Sequence, residues 1–175
     1  GVVVLEKMSV PGGNSAISGG LFGAAGSPLQ AKYKIHDSPE LMLADMLAAG
    51  HNYNYRDLAR LVAERSTETL LWTIKELGVK YKPRLSRLGG HSVPRTYNTV
   101  NSSGSGIIRP MLVKCREMDI SIRLKAFLSQ LIVDSNGEME GVEIRQDYIF
   151  PNRESGITRR IRVKKAVILA TGGFG

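Results

Sequence analysis

Two uninterrupted apolar runs frame the chain, Val2-Val3-Val4-Leu5 near its start and Ala166-Val167-Ile168-Leu169-Ala170 near its end. Neither alternates with polar residues, and a strand that is apolar at every position reads as one covered on both faces, as strands of parallel sheets are. Parallel strands need crossover connections of a dozen or more residues, usually helical, so the residues between the runs must supply helices. Ser38-Pro39-Glu40 opens one, with Ser38 as N-cap and Pro39 at the first helical position, and it is predicted to end near Gly50. A second is predicted over residues 55–77, with Leu58, Leu61, Val62, Arg65, Thr69, Trp72 and Leu77 on one broad face and Gly78 as the stop. A third is predicted over 107–118, with Pro110 in its first turn. Strand patterns follow at 120–124, 126–134, 140–150 and 156–163, and Asn136-Gly137 is a hairpin signal between two of them. This order predicts an α/β (mixed α+β) domain with an antiparallel β-meander inserted before the last buried strand.

A length of 175 residues suits one domain or most of one. No apolar run approaches the ~18 residues of a membrane span, so no spanning segment is expected. The single cysteine, Cys115, forms no internal disulfide, zinc cluster or CxxCH haem-attachment motif. The net charge of +8 would suit a polyanion. However, Arg160-Ile161-Arg162-Val163-Lys164 alternates as a half-buried strand does, and no aromatic residues interleave as stacking platforms. A solvated strand face is therefore the expectation, and nucleic acid is not an expected partner. Residue 1 is Gly, followed at once by a strand, and the chain stops just after another, so both ends are expected to be cut. Residues 82–106 lack periodicity and are rich in Pro, Gly, Ser and Asn, and they are expected to form a functional loop.

Three segments carry candidate chemistry. The first run ends in Glu6-Lys7; a carboxylate at the C-terminal end of a strand can accept both hydroxyl protons of a ribose, or it can be a solvated cap. Next, Gly12-Gly13-Asn14-Ser15-Ala16-Ile17-Ser18-Gly19-Gly20 allows close backbone approach to a pyrophosphate or a flat ring, the alternative being a flexible surface loop. Its continuation into Leu21-Phe22-Gly23-Ala24-Ala25 favours close approach. The last run breaks into Thr171-Gly172-Gly173, which would place backbone at the carboxyl edge of a parallel sheet, where open α/β sheets bind ligands.

In this order, the three segments and the loop Gly89-Gly90-His91-Ser92-Val93-Pro94-Arg95-Thr96 make the chain resemble the fumarate reductase and succinate dehydrogenase flavoproteins, closest to the soluble flavocytochrome c type. The resemblance implies a two-dinucleotide-fold FAD-binding domain, of which residues 1–175 would be a part lacking the first βα unit, since no GxGxxG motif is present. FAD is the implied cofactor. Glu6 would bind its adenosine ribose, Asn14, Ser15, Gly19 and Gly20 would line the pyrophosphate and flavin side, and Leu128 would meet the adenine through its backbone. Lys7, Thr171 and Gly172 complete the implied cofactor-binding set. The catalytic residues and capping domain would lie outside the chain, and His91 is not expected to be catalytic. The implied activity is hydride transfer from reduced flavin to the C=C bond of fumarate or a similar unsaturated carboxylate, with an unsaturated dicarboxylate as the implied substrate of the full-length protein. The alternatives are another FAD-dependent CH–CH dehydrogenase, of succinate or 3-ketosteroid type, and a non-catalytic module docking an acidic electron-transfer partner such as a haem protein. A flavocytochrome-like member would be periplasmic, other members cytoplasmic. Alone, the 175 residues would be expected neither to retain FAD nor to stay monomeric.

Overall fold

In a computed structural model of the chain, residues 1–173 are described. The elements run β1 (Val3–Leu5), α1 (Gly13–Ile17), β2 (Leu21–Gly23), α2 (Pro28–Lys32), α3 (Pro39–Ala49), α4 (Arg56–Lys75), β3 (Thr96–Asn98), α5 (Ser105–Glu117), β4 (Ser121–Arg123), β5 (Ala126–Val133), β6 (Met139–Gln146) and β7 (Ile157–Arg162). They form two compact units, one made of Gly1–Gly13 with the chain from Met118 onward, the other of Asn14–Glu117.

In the first unit β1 and β4 pair in parallel, Val4 opposite Ile122. β5, β6 and β7 form the expected antiparallel meander in that order. The β5–β6 hairpin closes as Asn136-Gly137 predicts. Asp134 Oδ1 accepts the N–H groups of Asn136 and Glu138, at 2.8 and 2.9 Å, and Gly137 takes the left-handed turn conformation at φ +80°. Ala126, Val142 and Ile144 are the buried centre of this unit, with Leu5, Leu128, Ile161 and Val167 packed on them. The basic strand behaves as its alternation predicts: Ile161 packs inward while Arg160 stays exposed and pairs with Glu143 at 3.2 Å.

Two expectations in this unit need correction. The run Ala166-Val167-Ile168-Leu169-Ala170 takes no strand assignment, and Ile168 and Leu169 are exposed. Val3 and Val4 of β1 are also exposed rather than buried. An apolar sequence specifies the tendency to form a covered strand, but a strand exists only where a neighbour supplies its hydrogen bonds. β1 has one such neighbour, and the 166–170 run has none among the described residues.

In the second unit α3 begins as read: Ser38 Oγ accepts the Leu41 N–H at 3.2 Å, Pro39 occupies the first turn and Gly50 ends the helix. α4 occupies nearly the predicted span, but it buries an adjacent face. Ala59, Ala63, Ser66, Leu70 and Thr73 are buried, while Leu58, Leu61, Val62 and Trp72 are exposed. Small residues win because Ala59 and Ala63 let α4 come close to Met42, Leu43 and Leu47 of α3, and Ser66 Oγ accepts the Ala25 N–H at 3.1 Å. A second cluster joins Leu70, Ala24 and Tyr97 with Phe22, Leu29, Tyr81 and Leu85; full burial of Leu70 alone contributes about 1.5–3 kcal/mol.

The 82–106 stretch is not structureless. β3 lies within it and pairs antiparallel with β2, Phe22 opposite Tyr97, and Ser86 bridges to Thr96. Likewise, Gly13–Ile17 form the short helix α1 inside what reads as a glycine loop. α5 starts two residues earlier than expected, so Pro110 lies in its interior instead of its first turn.

Candidate cofactor-binding site

In the first unit, Glu6 follows β1 at its carboxyl end and is half-buried. Its Oε1 accepts the Met8 N–H at 2.8 Å, which fixes the carboxylate and commits only one of its two oxygens in this contact. The Glu6 carbonyl in turn accepts the Ala126 N–H at 2.9 Å. Among the described residues β5 is an edge strand, paired only with β6. Because N–H and C=O groups alternate sides along a strand, the Ala126 bond shows which way Leu128 turns its own backbone pair: towards the edge that β6 does not use. The pairing register breaks just after Leu128. A fixed carboxylate and an open backbone edge thus stand together. Lys7 is exposed, its Nζ 5.9 Å from the centre of the Phe150 ring. Thr171 and Gly172 are exposed and follow the Val167 anchor, with Gly172 at φ +82°.

In the second unit a cleft of about 440 Å³ has Asn14, Ser15 and Ser18 on one side and Leu21, Ile107, Ile108 and Met111 on another, with Gly104 also lining it. Its shape depends on close backbone approach. Gly104 N–H donates to the Ser18 carbonyl at 2.8 Å, and a Cβ on Gly104 would lie 1.7 Å from the Ser15 oxygen. Ser103 Oγ donates to the Ala16 carbonyl at 3.2 Å, and Gly20 accepts the Thr99 N–H at 3.0 Å through its own carbonyl. Gly20 is buried at φ +65°, where a Cβ would meet Thr99 Oγ1 at 2.2 Å. The close approach that the sequence promised at Gly20 is therefore to the protein's own Thr99–Ser103 turn, whereas Gly19 is exposed.

Of the residues singled out in the sequence, Glu6 and Leu128 are brought together in one unit, and Asn14 and Ser15 with the Gly19-Gly20 pair in the other. Ser18 lies within the candidate segment but was not assigned a role, and Gly104 and the α5 residues of the cleft were missed. The run Ser102-Ser103-Gly104-Ser105-Gly106 was the signal available, small residues at a helix start where another backbone must pass. Tyr97 is a core residue whose Oη accepts the Leu29 N–H at 3.2 Å, and Arg109 is exposed on α5. His91 is half-buried with Nδ1 3.4 Å from Thr96 Oγ1, and burial followed by the nearby Arg95 charge holds its pKa below the usual imidazole value.

A family model described as an FAD binding domain matches residues 1–175. The chain belongs to that family. This FAD binding domain is 45% identical over 173 residues to an acrylate reductase flavoprotein subunit of Shewanella woodyi, covering 99% of the chain and 34% of that protein. It is 31% identical over 175 residues to the urocanate reductase of Eggerthella lenta, covering 99% of the chain and 28% of that protein. The open conformation of a flavocytochrome c3 fumarate reductase matches with a TM-score of 0.79 at 29% identity, over 84% of the chain and 26% of that structure. The chain thus spans about a third of the length of these curated relatives.

FAD is the cofactor of this family, and the residues present suit it. The spare oxygen of Glu6 and the free edge at Leu128 are acceptor and donor groups of the kind a ribose diol and an adenine ring require. The cleft beside α1 combines small polar side chains with apolar walls, the lining typical of cofactor sites.

Proposed function

We propose that this chain holds FAD in a reductase of unsaturated carboxylates, with Glu6 as the adenosine-ribose ligand and Leu128 as the backbone contact to adenine. The observation that carries the reading is the Glu6 carboxylate, fixed by the Met8 N–H at the carboxyl end of a parallel strand, beside the open edge of β5. Asn14, Ser15 and Gly19 would line the pyrophosphate and flavin side, with Gly20 setting the turn behind them. Lys7 would add a positive charge at the ribose end, and Thr171 and Gly172 would offer backbone groups beyond the Val167 anchor. When bound, FAD supplies the hydride chemistry, and these residues bind and orient it. Acrylate and fumarate are the first substrates to try, because the names of the relatives quoted above include both.

The test is Glu6→Ala in the natural full-length protein. Charge-assisted hydrogen bonds contribute roughly 1.5–3 kcal/mol, so the variant is expected to leave gel filtration with clearly less flavin absorbance per protein than the parent. Equal occupancy would remove Glu6 from the site.

A further inference from the structure

We propose that Arg95 is a positioning residue for the Asn14–Gly20 segment, its guanidinium setting the register of β3 and through β3 the width of the cleft. The proposal rests on the cleft's being part of the FAD site.

The Arg95 side chain is 0% exposed. Its Nε and Nη2 donate to Asp37 Oδ2 and Oδ1 at 3.0 and 2.8 Å, a bidentate fork, and Nη1 donates to Asp45 Oδ2 at 2.7 Å. The carboxylates are held in their turn. Asp37 accepts from Gln30 Nε2 at 2.7 Å and from the Ser38 N–H at 2.9 Å, and Asp45 accepts from the N–H and Oγ of Ser92 at 2.8 and 2.9 Å. Gln30 Nε2 also donates to the Pro94 carbonyl at 3.0 Å. Buried ion groups rarely add net stability relative to a well-packed apolar cluster, but they do select one geometry. The geometry selected here is that of the segment entering β3.

From Arg95 the connection is continuous. The Arg95 carbonyl accepts the Ala24 N–H at 3.0 Å, which aligns β3 with β2. Thr96–Asn98 then pair with Leu21–Gly23, and Thr99 donates its N–H to Gly20. Thr99 Oγ1 donates to the Ser103 carbonyl at 2.9 Å and accepts the Ser103 N–H at 3.1 Å. Ser103 and Gly104 carry the carbonyls of Ala16 and Ser18, on the α1 side of the cleft. A guanidinium fork suits this task because its donors lie in one plane at fixed angles, whereas a lysine ammonium is a point charge on a flexible stem. A slip at Arg95 is passed along a ladder to Ser18.

The experiment compares Arg95→Lys and Asp45→Asn with the parent full-length protein and with Leu47→Ala, a core substitution between α3 and α4 that lowers stability away from the cleft. FAD affinity is read by flavin fluorescence titration, and the geometry of the bound ring by visible circular dichroism, with Tm recorded for each apoprotein. Arg95→Lys is expected to bind FAD about tenfold more weakly, equivalent to ~1.4 kcal/mol, with an altered dichroism band, while Leu47→Ala keeps both at a comparable loss of Tm. Asp45→Asn, which leaves the Asp37 fork intact, is expected to show the same spectral change to a smaller degree and stands in if Arg95→Lys fails to fold. Parent-like affinity and dichroism in both variants, or changes no larger than those of Leu47→Ala at equal loss of Tm, would overturn the positioning role. If Ser15→Ala and Ser18→Ala leave FAD binding unchanged while Arg95→Lys weakens it, the cleft reading fails, and the proposal with it; a parent that holds no FAD overturns both.

Discussion

At Gly104 a single hydrogen atom in place of a methyl group decides whether two backbone segments can touch. A Cβ there would overlap the Ser15 carbonyl at 1.7 Å and Ser18 Oγ at 2.5 Å, and a main-chain oxygen held in the α1 turn cannot swing aside as a flexible side chain would. Gly104→Ala is therefore expected to cost ~1–3 kcal/mol by overpacking, seen as a lower urea midpoint with an unchanged slope. Gly89→Ala is the matched control: nothing lies within 4 Å of its added Cβ, so its midpoint should stay near the parent's. The same residue-level logic separates Gly20 from Gly19. Both belong to one motif, but only Gly20 needs its missing side chain for the protein's own packing.

Among the elements, α4 shows why helical periodicity alone does not identify a core face. Its large apolar residues, Leu58, Leu61, Val62 and Trp72, follow helical spacing, yet they are exposed; the face carrying Ala59, Ala63 and Leu70 is the one that packs. Small residues permit a short distance between helix axes and leave the neighbour's Leu43 and Leu47 to fill the seam. Ala63, 1% exposed, is thus expected to tolerate enlargement poorly: Ala63→Leu should cost ~1–3 kcal/mol. Leu61→Gln, on the exposed face at 52%, should remain within about 0.5 kcal/mol of the parent. Chemical denaturation of the two variants side by side checks the assignment, and the reverse order would restore the periodicity reading. Elements bounded by local chemistry were legible in advance: the Ser38–Pro39 start of α3 and the Asp134–Gly137 hairpin rest on contacts between near neighbours. β3 was not, because its pairing partner lies far back in the chain at β2.

For the whole molecule, the charge cluster around Arg95 has a consequence in acid. Burial by itself would raise the Asp45 pKa, but hydrogen bonds from the Ser92 N–H and Oγ and from Arg95 outweigh it and hold the carboxyl below its usual range. A carboxyl depressed in the folded state stabilises it fully above the unfolded pKa of about 4 and loses that contribution as pH falls through the folded value. His91 acts in the same direction at higher pH. Its pKa is lowered by burial and by Arg95, so the unfolded chain takes up the proton first, and stability falls as pH drops below about 6.5. Tm measured against pH should therefore decline in two stages. His91→Gln should flatten the stage that starts near 6.5 and Asp45→Asn the one below about 4; a parent profile that the two variants reproduce in full would contradict this account.

The sequence by itself determined whatever depends on neighbours along the chain: the cap and stop of α3, the hairpin, the alternation that exposes Arg160 and packs Ile161, and the motifs that mark an FAD binding domain. Covalent spacing alone brings those groups within reach of one another. Only the tertiary structure decided which face of α4 is buried, that Gly20 and Gly104 make room for the protein's own backbone, that Arg95 lies between two carboxylates from a distant segment, and that Leu128 turns its backbone to the edge beside Glu6. Each of these depends on which surfaces meet in space. A residue's type states what it can bond to, and only the folded chain supplies the partner.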